Sequence, residues 1–135
     1  MDGALAREVW DRAQDSCEYC LIGEEYFPAP FEIDHVIARQ HGGKTILGNL
    51  ALSCFHCNSH KGPNIAGIDP VSQKMVRLFN PRRHRWNVHF RWDGAVVVGR
   101  TPIGRATIQV LNMNGCYLVG LREELMAEGL FPAQP

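Results

Sequence analysis

Residues 52–62 read LSCFHCNSHKG and place two cysteines, two histidines, an asparagine and a lysine within eleven positions. These side chains serve one metal, two metals, or an ordinary redox or structural loop, and the choice decides the fold. Cys54 and Cys57 are one half of a longer pattern, C-x2-C…C-x2-C, whose other half is Cys17 and Cys20 in CEYC. Four thiolates on two tight knuckles suit tetrahedral Zn²⁺, which takes sulfur ligands and closes its shell with no open position. Two such pairs in a reducing compartment point to metal more than to disulfides. Buried or redox thiols are the competing reading. The 33 residues between Cys20 and Cys54 are more than a simple zinc ribbon uses, so a substantial insertion separates the knuckles. A zinc ion saturated by four cysteines leaves His56, Asn58 and His60 for other work. Cys116 has no partner pair and, beside Tyr117 and Leu118, reads as a core thiol.

The 135 residues suit one domain with a modest core, and an apolar fraction of 45% is that of a globular chain. No apolar run approaches eighteen residues, so no membrane span is expected. The opening MDGALAREVWDRAQ is acidic and amphipathic and lacks a signal peptide's apolar stretch, which predicts a cytoplasmic protein. A net charge of zero hides an asymmetry. Residues 1–30 hold seven acids against two bases, and residues 72–105 hold eight bases against one acid, a net of −5 and +7. The basic segment points to a polyanion, although a solvated face balancing the acidic end would read the same way.

Apolar spacing in residues 3–14 predicts a short helix. FEIDHVIA predicts a strand, with Phe31 and Ile33 inward and Glu32 and Asp34 outward. RQHGGKTILGN is a glycine-rich loop, LALS a second short strand, and CFHCNSHKGP a knuckle running into a helix that Gly62 and Pro63 stop. QKMVRLFNP reads as a strand. Asp93-Gly94 marks a hairpin within WNVHFRWDGAVVVGRT, in which Trp86, Phe90 and Trp92 alternate as one buried strand face. Thr101-Pro102 starts a helix, Asn114-Gly115 breaks it, and a last helix stops at Gly129.

Taken together, C-E-Y-C, I-D-H-V, G-G, G-N-L and C-F-H-C-N-S-H-K-G, over residues 17–62, resemble the HNH nucleases in their zinc-containing, His-Asn-Asn form. The elements read above make an α+β chain, and the resemblance sets its expected organisation. A ββα-metal core with a four-cysteine pair of zinc knuckles spans residues 15–66, and a basic β-hairpin and helical extension spans 67–135, within one domain of 1–135. It further implies His35 as general base, Asp34 as a metal ligand, and Asn49 as the residue that holds the loop and orients the base. Asn58 stands where the family often has a metal-binding histidine, which favours Mg²⁺ or Mn²⁺ over softer ions. The chemistry agrees, since Mg²⁺ takes few protein oxygens and keeps several waters. Asp34 and His35 are strand neighbours whose side chains start on opposite faces. That separation suits in-line attack if the strand bends locally.

The expected activity is metal-dependent hydrolysis of DNA phosphodiesters, with RNA left open and a protein partner or homodimer as a candidate source of specificity. A non-catalytic zinc-knuckle module that binds nucleic acid is the alternative. Lys61 is a candidate phosphate contact or a solvated charge. Arg82, Arg83 and Arg85 are candidate phosphate contacts, and Arg100 and Arg105 bracket the helix start at Thr101, where backbone N–H groups suit an anion. His41, His56 and His60 read as surface histidines.

Overall fold

The computed structural model describes residues 1–132. Helix α1 (Gly3–Ala13) begins on Asp2, whose carboxylate accepts from Ala4 N at 3.0 Å, an N-cap that satisfies one of the free amides of the first turn. It ends with Gln14 and Asp15 in left-handed backbone, which turns the chain into the first knuckle. Arg12 fastens the helix to a distant segment, donating to the carbonyls of Leu47 (3.0 Å) and Leu50 (2.6 Å).

Strands β1 (Glu32–His35) and β2 (Leu50–Ser53) pair antiparallel, with Asp34 opposite Ala51 and His35 opposite Leu50. The loop between them spans residues 36–49. Helix α2 (Phe55–Lys61) follows β2 directly, starting on Cys54 and closing on Gly62 in positive-φ backbone. Strand, strand and helix thus stand in the expected order. Strands β3 (Ala66–Ile68) and β4 (Met75–Arg77) form a second antiparallel pair. One helical turn, α3 (Trp86–His89), leads into the hairpin of β5 (Phe90–Asp93) and β6 (Val96–Gly99). Its two-residue loop is Gly94-Ala95, with Gly94 at φ +58°. Helix α4 (Pro102–Val110) starts on Thr101, whose hydroxyl accepts from Gly104 N at 3.0 Å, and α5 (Cys116–Ala127) ends before Gly129 at φ +74°. The last three residues of the expected extension, 133–135, lie outside the described residues.

One buried apolar cluster runs through both halves. Val9, Tyr19, Leu50 and Leu52 from the first half meet Phe79, Phe90, Leu111 and Leu118 from the second. Among the described residues no helix is long and apolar enough to cross a membrane.

The structure corrects three expectations. Asp34 is buried, not outward, at 6% exposure, because a tyrosine and a lysine enclose it. Trp86 belongs to a helical turn rather than to the strand of Phe90 and Trp92. The aromatic face nevertheless forms, since the turn folds Trp86 back onto both rings at 5.0 and 5.1 Å. Cys116 is exposed at the first position of α5, whose buried stripe is Leu118, Arg122 and Leu125 at helical spacing.

Candidate active site and metal centre

Cys17, Cys20, Cys54 and Cys57 are all buried, and their sulfur atoms lie within 4.8 Å of one another. A tetrahedral site with Zn–S of about 2.3 Å has S···S edges of about 3.8 Å. The Cys20–Cys54 sulfur separation is 3.8 Å. Each knuckle folds back so that a backbone amide addresses a sulfur, Cys20 N to Cys17 Sγ at 3.5 Å and Cys57 N to Cys54 Sγ at 3.3 Å. Such N–H···S contacts stabilise thiolate over thiol. Donor type, burial and spacing all fit zinc, and the chain carries a four-cysteine metal-binding cluster.

The first knuckle also carries Tyr19, whose hydroxyl donates to Asp34 Oδ2 at 2.8 Å. On the other side Lys61, one turn of α2 beyond Cys57, sets its ammonium 3.1 Å from Asp34 Oδ2 and 3.3 Å from Oδ1. The remaining ammonium donors go to the carbonyls of Val36 (3.1 Å) and His35 (3.4 Å). Burial pushes the Asp34 carboxyl above its ordinary value, while Lys61 and the Tyr19 hydroxyl pull it back. Burial, followed by the Asp34 charge, also holds the Tyr19 phenol well above its usual range, so it remains an O–H donor. Both partners of Asp34 are therefore tied to cysteine-bearing segments, one to each knuckle.

His35, the next residue of β1, engages the 36–49 loop instead. It is half-buried, and its Nε2 is 2.8 Å from Thr45 Oγ1 in the 36–49 loop. Among the described residues Nδ1 has no hydrogen-bond partner. Asn58, on the first turns of α2, donates its amide to Glu32 Oε2 at 2.6 Å, which leaves its Oδ1 as the free end. Asp34, His35 and Asn58 line one open cleft of about 330 Å³, together with Arg39 and Gln40. A carboxylate and an amide oxygen on one cleft wall form the sparse oxygen set that Mg²⁺ or Mn²⁺ accepts, so these residues fit such an ion.

Asn49 closes the loop between the two strands. Its Oδ1 accepts from Ile37 N (2.9 Å), and its Nδ2 donates to Ile37 O (3.0 Å) and Lys44 O (2.9 Å). One side chain thus clips both ends of the segment that brings Thr45 onto His35. Gly43 is required there, because a Cβ would collide with the Ile37 carbonyl oxygen.

The basic residues divide into two groups. Lys61 is buried against Asp34 and is neither a surface phosphate contact nor a solvated charge. Arg82 is ion-paired with Glu18 of the first knuckle, both side chains being nearly buried. Arg105 forms a two-point pair with Asp69, at 2.8 and 2.9 Å. Arg83, Arg85 and Arg100 are exposed and make no ion pair among the described residues. His41 is exposed. His56 is half-buried with Nε2 2.8 Å from Asn112 O, and it stacks on exposed His60 at 4.3 Å.

Sequence reading did not find Tyr19, Glu32 or Thr45. Glu32 carried a signal, since it stands two residues before Asp34 and shares its strand face. Tyr19 and Thr45 meet their partners only through contacts 15 and 10 residues distant in the chain, which no periodicity encodes.

Residues 17–64 match the family model described as HNH endonuclease, so this segment, both knuckles and the cleft included, is an HNH domain. No curated protein and no solved structure gives a significant match to the chain.

Proposed function

We propose, from the premise that residues 17–64 are an HNH endonuclease domain, that the chain is a metal-dependent endonuclease cutting DNA phosphodiester bonds. The observation that carries this reading is the convergence of Asp34, His35 and Asn58 on one open cleft, with a ring nitrogen of His35 unengaged. Mg²⁺ or Mn²⁺, when bound, supplies the positive charge that neutralises the departing oxygen. Asp34 and Asn58 would hold it. Glu32 takes the amide N–H of Asn58 and so turns its oxygen outward.

His35 acts as the base. Neutral imidazole carries a proton on one nitrogen and accepts on the other, and the partner of the first selects the tautomer. Nε2–H donating to the Thr45 hydroxyl leaves Nδ1 to take a proton from the attacking water. Asn49 serves as a positioning residue, because it clips the loop that carries Thr45. The zinc cluster fixes the frame, since Asn58 directly follows Cys57 and Tyr19 lies between Cys17 and Cys20.

A second reading, a non-catalytic zinc-knuckle module that binds nucleic acid, draws on one observation. Lys61 already neutralises Asp34, which gives that carboxylate a structural role without any second metal. The two readings separate in a plasmid assay. Supercoiled DNA incubated with purified protein and Mg²⁺ or Mn²⁺ is expected to be nicked or linearised, and EDTA is expected to stop it. His35→Ala is expected to lower the rate by about 10²–10⁴-fold with DNA affinity retained. Binding without cleavage under any of these ions would establish the second reading.

A further inference from the structure

The HNH domain and the chain beyond it together build a second cleft, of about 720 Å³, between the 36–49 loop and the segment from β4 to Arg83. Among the described residues its charged side chains are Lys44, Arg77 and Arg83, and no carboxylate lines it. All three cations are exposed and none makes an ion pair or side-chain hydrogen bond among the described residues. Arg82 and Arg105, their neighbours in the basic segment, are by contrast each spent on a carboxylate. Three unneutralised cations lining one cleft repel one another, and a polyanion relieves that repulsion.

The wall chemistry narrows the ligand. Proteins that hold unpaired strands use aromatic platforms for the bases. Among the described residues no aromatic ring other than His41 lines this cleft, and its apolar rim is aliphatic, with Ile46 and Ile65 exposed. Such a surface addresses backbone rather than bases. Position matters as well. One wall is the loop that begins after His35 and is clipped by Asn49, so a strand lying here is placed relative to the base.

We propose that this cleft cradles the sugar–phosphate backbone of duplex DNA beside the scissile bond, through Lys44, Arg77 and Arg83. The inference rests on the nuclease reading above and gives β4 and the turn after it a part in substrate binding. The contacts are to phosphate, so they position the duplex and carry no sequence information.

The test measures binding of a fluorescent duplex in EDTA, at several salt concentrations, for wild type and the triple variant Lys44→Gln/Arg77→Gln/Arg83→Gln. A control triple, Arg7→Gln/Lys74→Gln/Arg91→Gln, removes the same charge from exposed positions elsewhere. The cleft triple is expected to flatten the slope of log K against log salt by roughly 0.9 per contact, or about 2.7 in all. The control is expected to change it far less. Lys44→Gln alone, in an exposed loop held by its backbone, keeps the test open if the triple unfolds, with an expected change of roughly 0.9. Equal slopes for cleft and control variants would overturn the proposal, as would wild-type protein that fails to bind duplex or binds a single strand more tightly. Wild type that binds with the expected slope but never cleaves would instead remove the nuclease reading and leave the cradle standing.

Discussion

At the scale of single residues, the site depends on hydrogen bonds that fix what each side chain presents. Thr45 gives the sharpest test. Its hydroxyl is 2.8 Å from His35 Nε2 and makes no other side-chain hydrogen bond among the described residues. Removing a hydrogen bond of this kind costs about 0.5–1.5 kcal/mol, which corresponds to about two- to ten-fold in rate. Thr45→Val is expected to lower the single-turnover cleavage rate by that factor with DNA affinity unchanged. Thr45→Ser, which keeps the oxygen, should restore it. A valine variant as fast as wild type would show that the tautomer of His35 is selected by something other than Thr45. Asp34 works differently. Its enclosure by Tyr19 and Lys61 makes it a buried carboxylate held in one orientation, which a lone surface aspartate is not.

Elements are held by a few clamps rather than by large sheets. The three two-stranded pairs among the described residues are marginal by themselves and need staples. The four-cysteine cluster is the first staple, with zinc as the ion its donors fit. Close to one zinc per chain should survive gel filtration, and Cys17→Ser is expected to lose it together with cooperative melting, because metal affinity here is folding free energy. Normal folding of a zinc-free protein would contradict that role. Asp69 is the second staple. It directly follows β3, accepts from Val71 N and Ser72 N at 3.1 Å each, and takes the fork of Arg105 from α4. The Arg105 pair, together with the turn amides, holds its carboxyl far below the usual range although its own burial opposes this. A carboxylate depressed in this way stabilises fully above its unfolded value, near pH 4, and loses that contribution as pH falls toward its folded value. Asp69→Asn is therefore expected to melt at lower temperature than wild type at pH 7, with the gap closing as pH drops below about 4. A gap that stays constant across that range would assign the effect to packing instead of charge.

At the scale of the whole molecule, the basic segment does two jobs. Part of it is cross-bracing. Arg82 reaches back to Glu18, whose other oxygen accepts from Leu52 N at 2.8 Å, and Trp86 Nε1 donates to Tyr19 O at 2.9 Å. These contacts join the extension to the knuckle that also carries Tyr19. Arg82→Gln is expected to cost about 1–3 kcal/mol of stability, seen as a lower melting temperature, and to leave the salt dependence of DNA binding unchanged. A flattened salt slope with unaltered melting would return Arg82 to the phosphate contacts. The exposed remainder, Arg83 and Arg77 with Lys44 from the loop, lines one cleft without an ion pair among the described residues.

The HNH domain, its four paired cysteines and several helix starts and stops are determined by the sequence alone, because they rest on short-range rules. Two-residue knuckle spacing, the Thr101-Pro102 helix start and the Gly62, Gly94 and Gly129 turns each act within a few residues. Only the tertiary structure decides which charges are free. Lys61, Arg82 and Arg105 look identical to Arg83 along the chain, yet each meets a carboxylate 27, 64 or 36 residues away. The same holds for Asp34, turned inward against the strand alternation because Tyr19 and Lys61 offer it two donors, and for Cys116, left outside because α5 buries a different stripe. Burial and pairing are properties of what arrives from distant chain, and composition and periodicity carry no record of it.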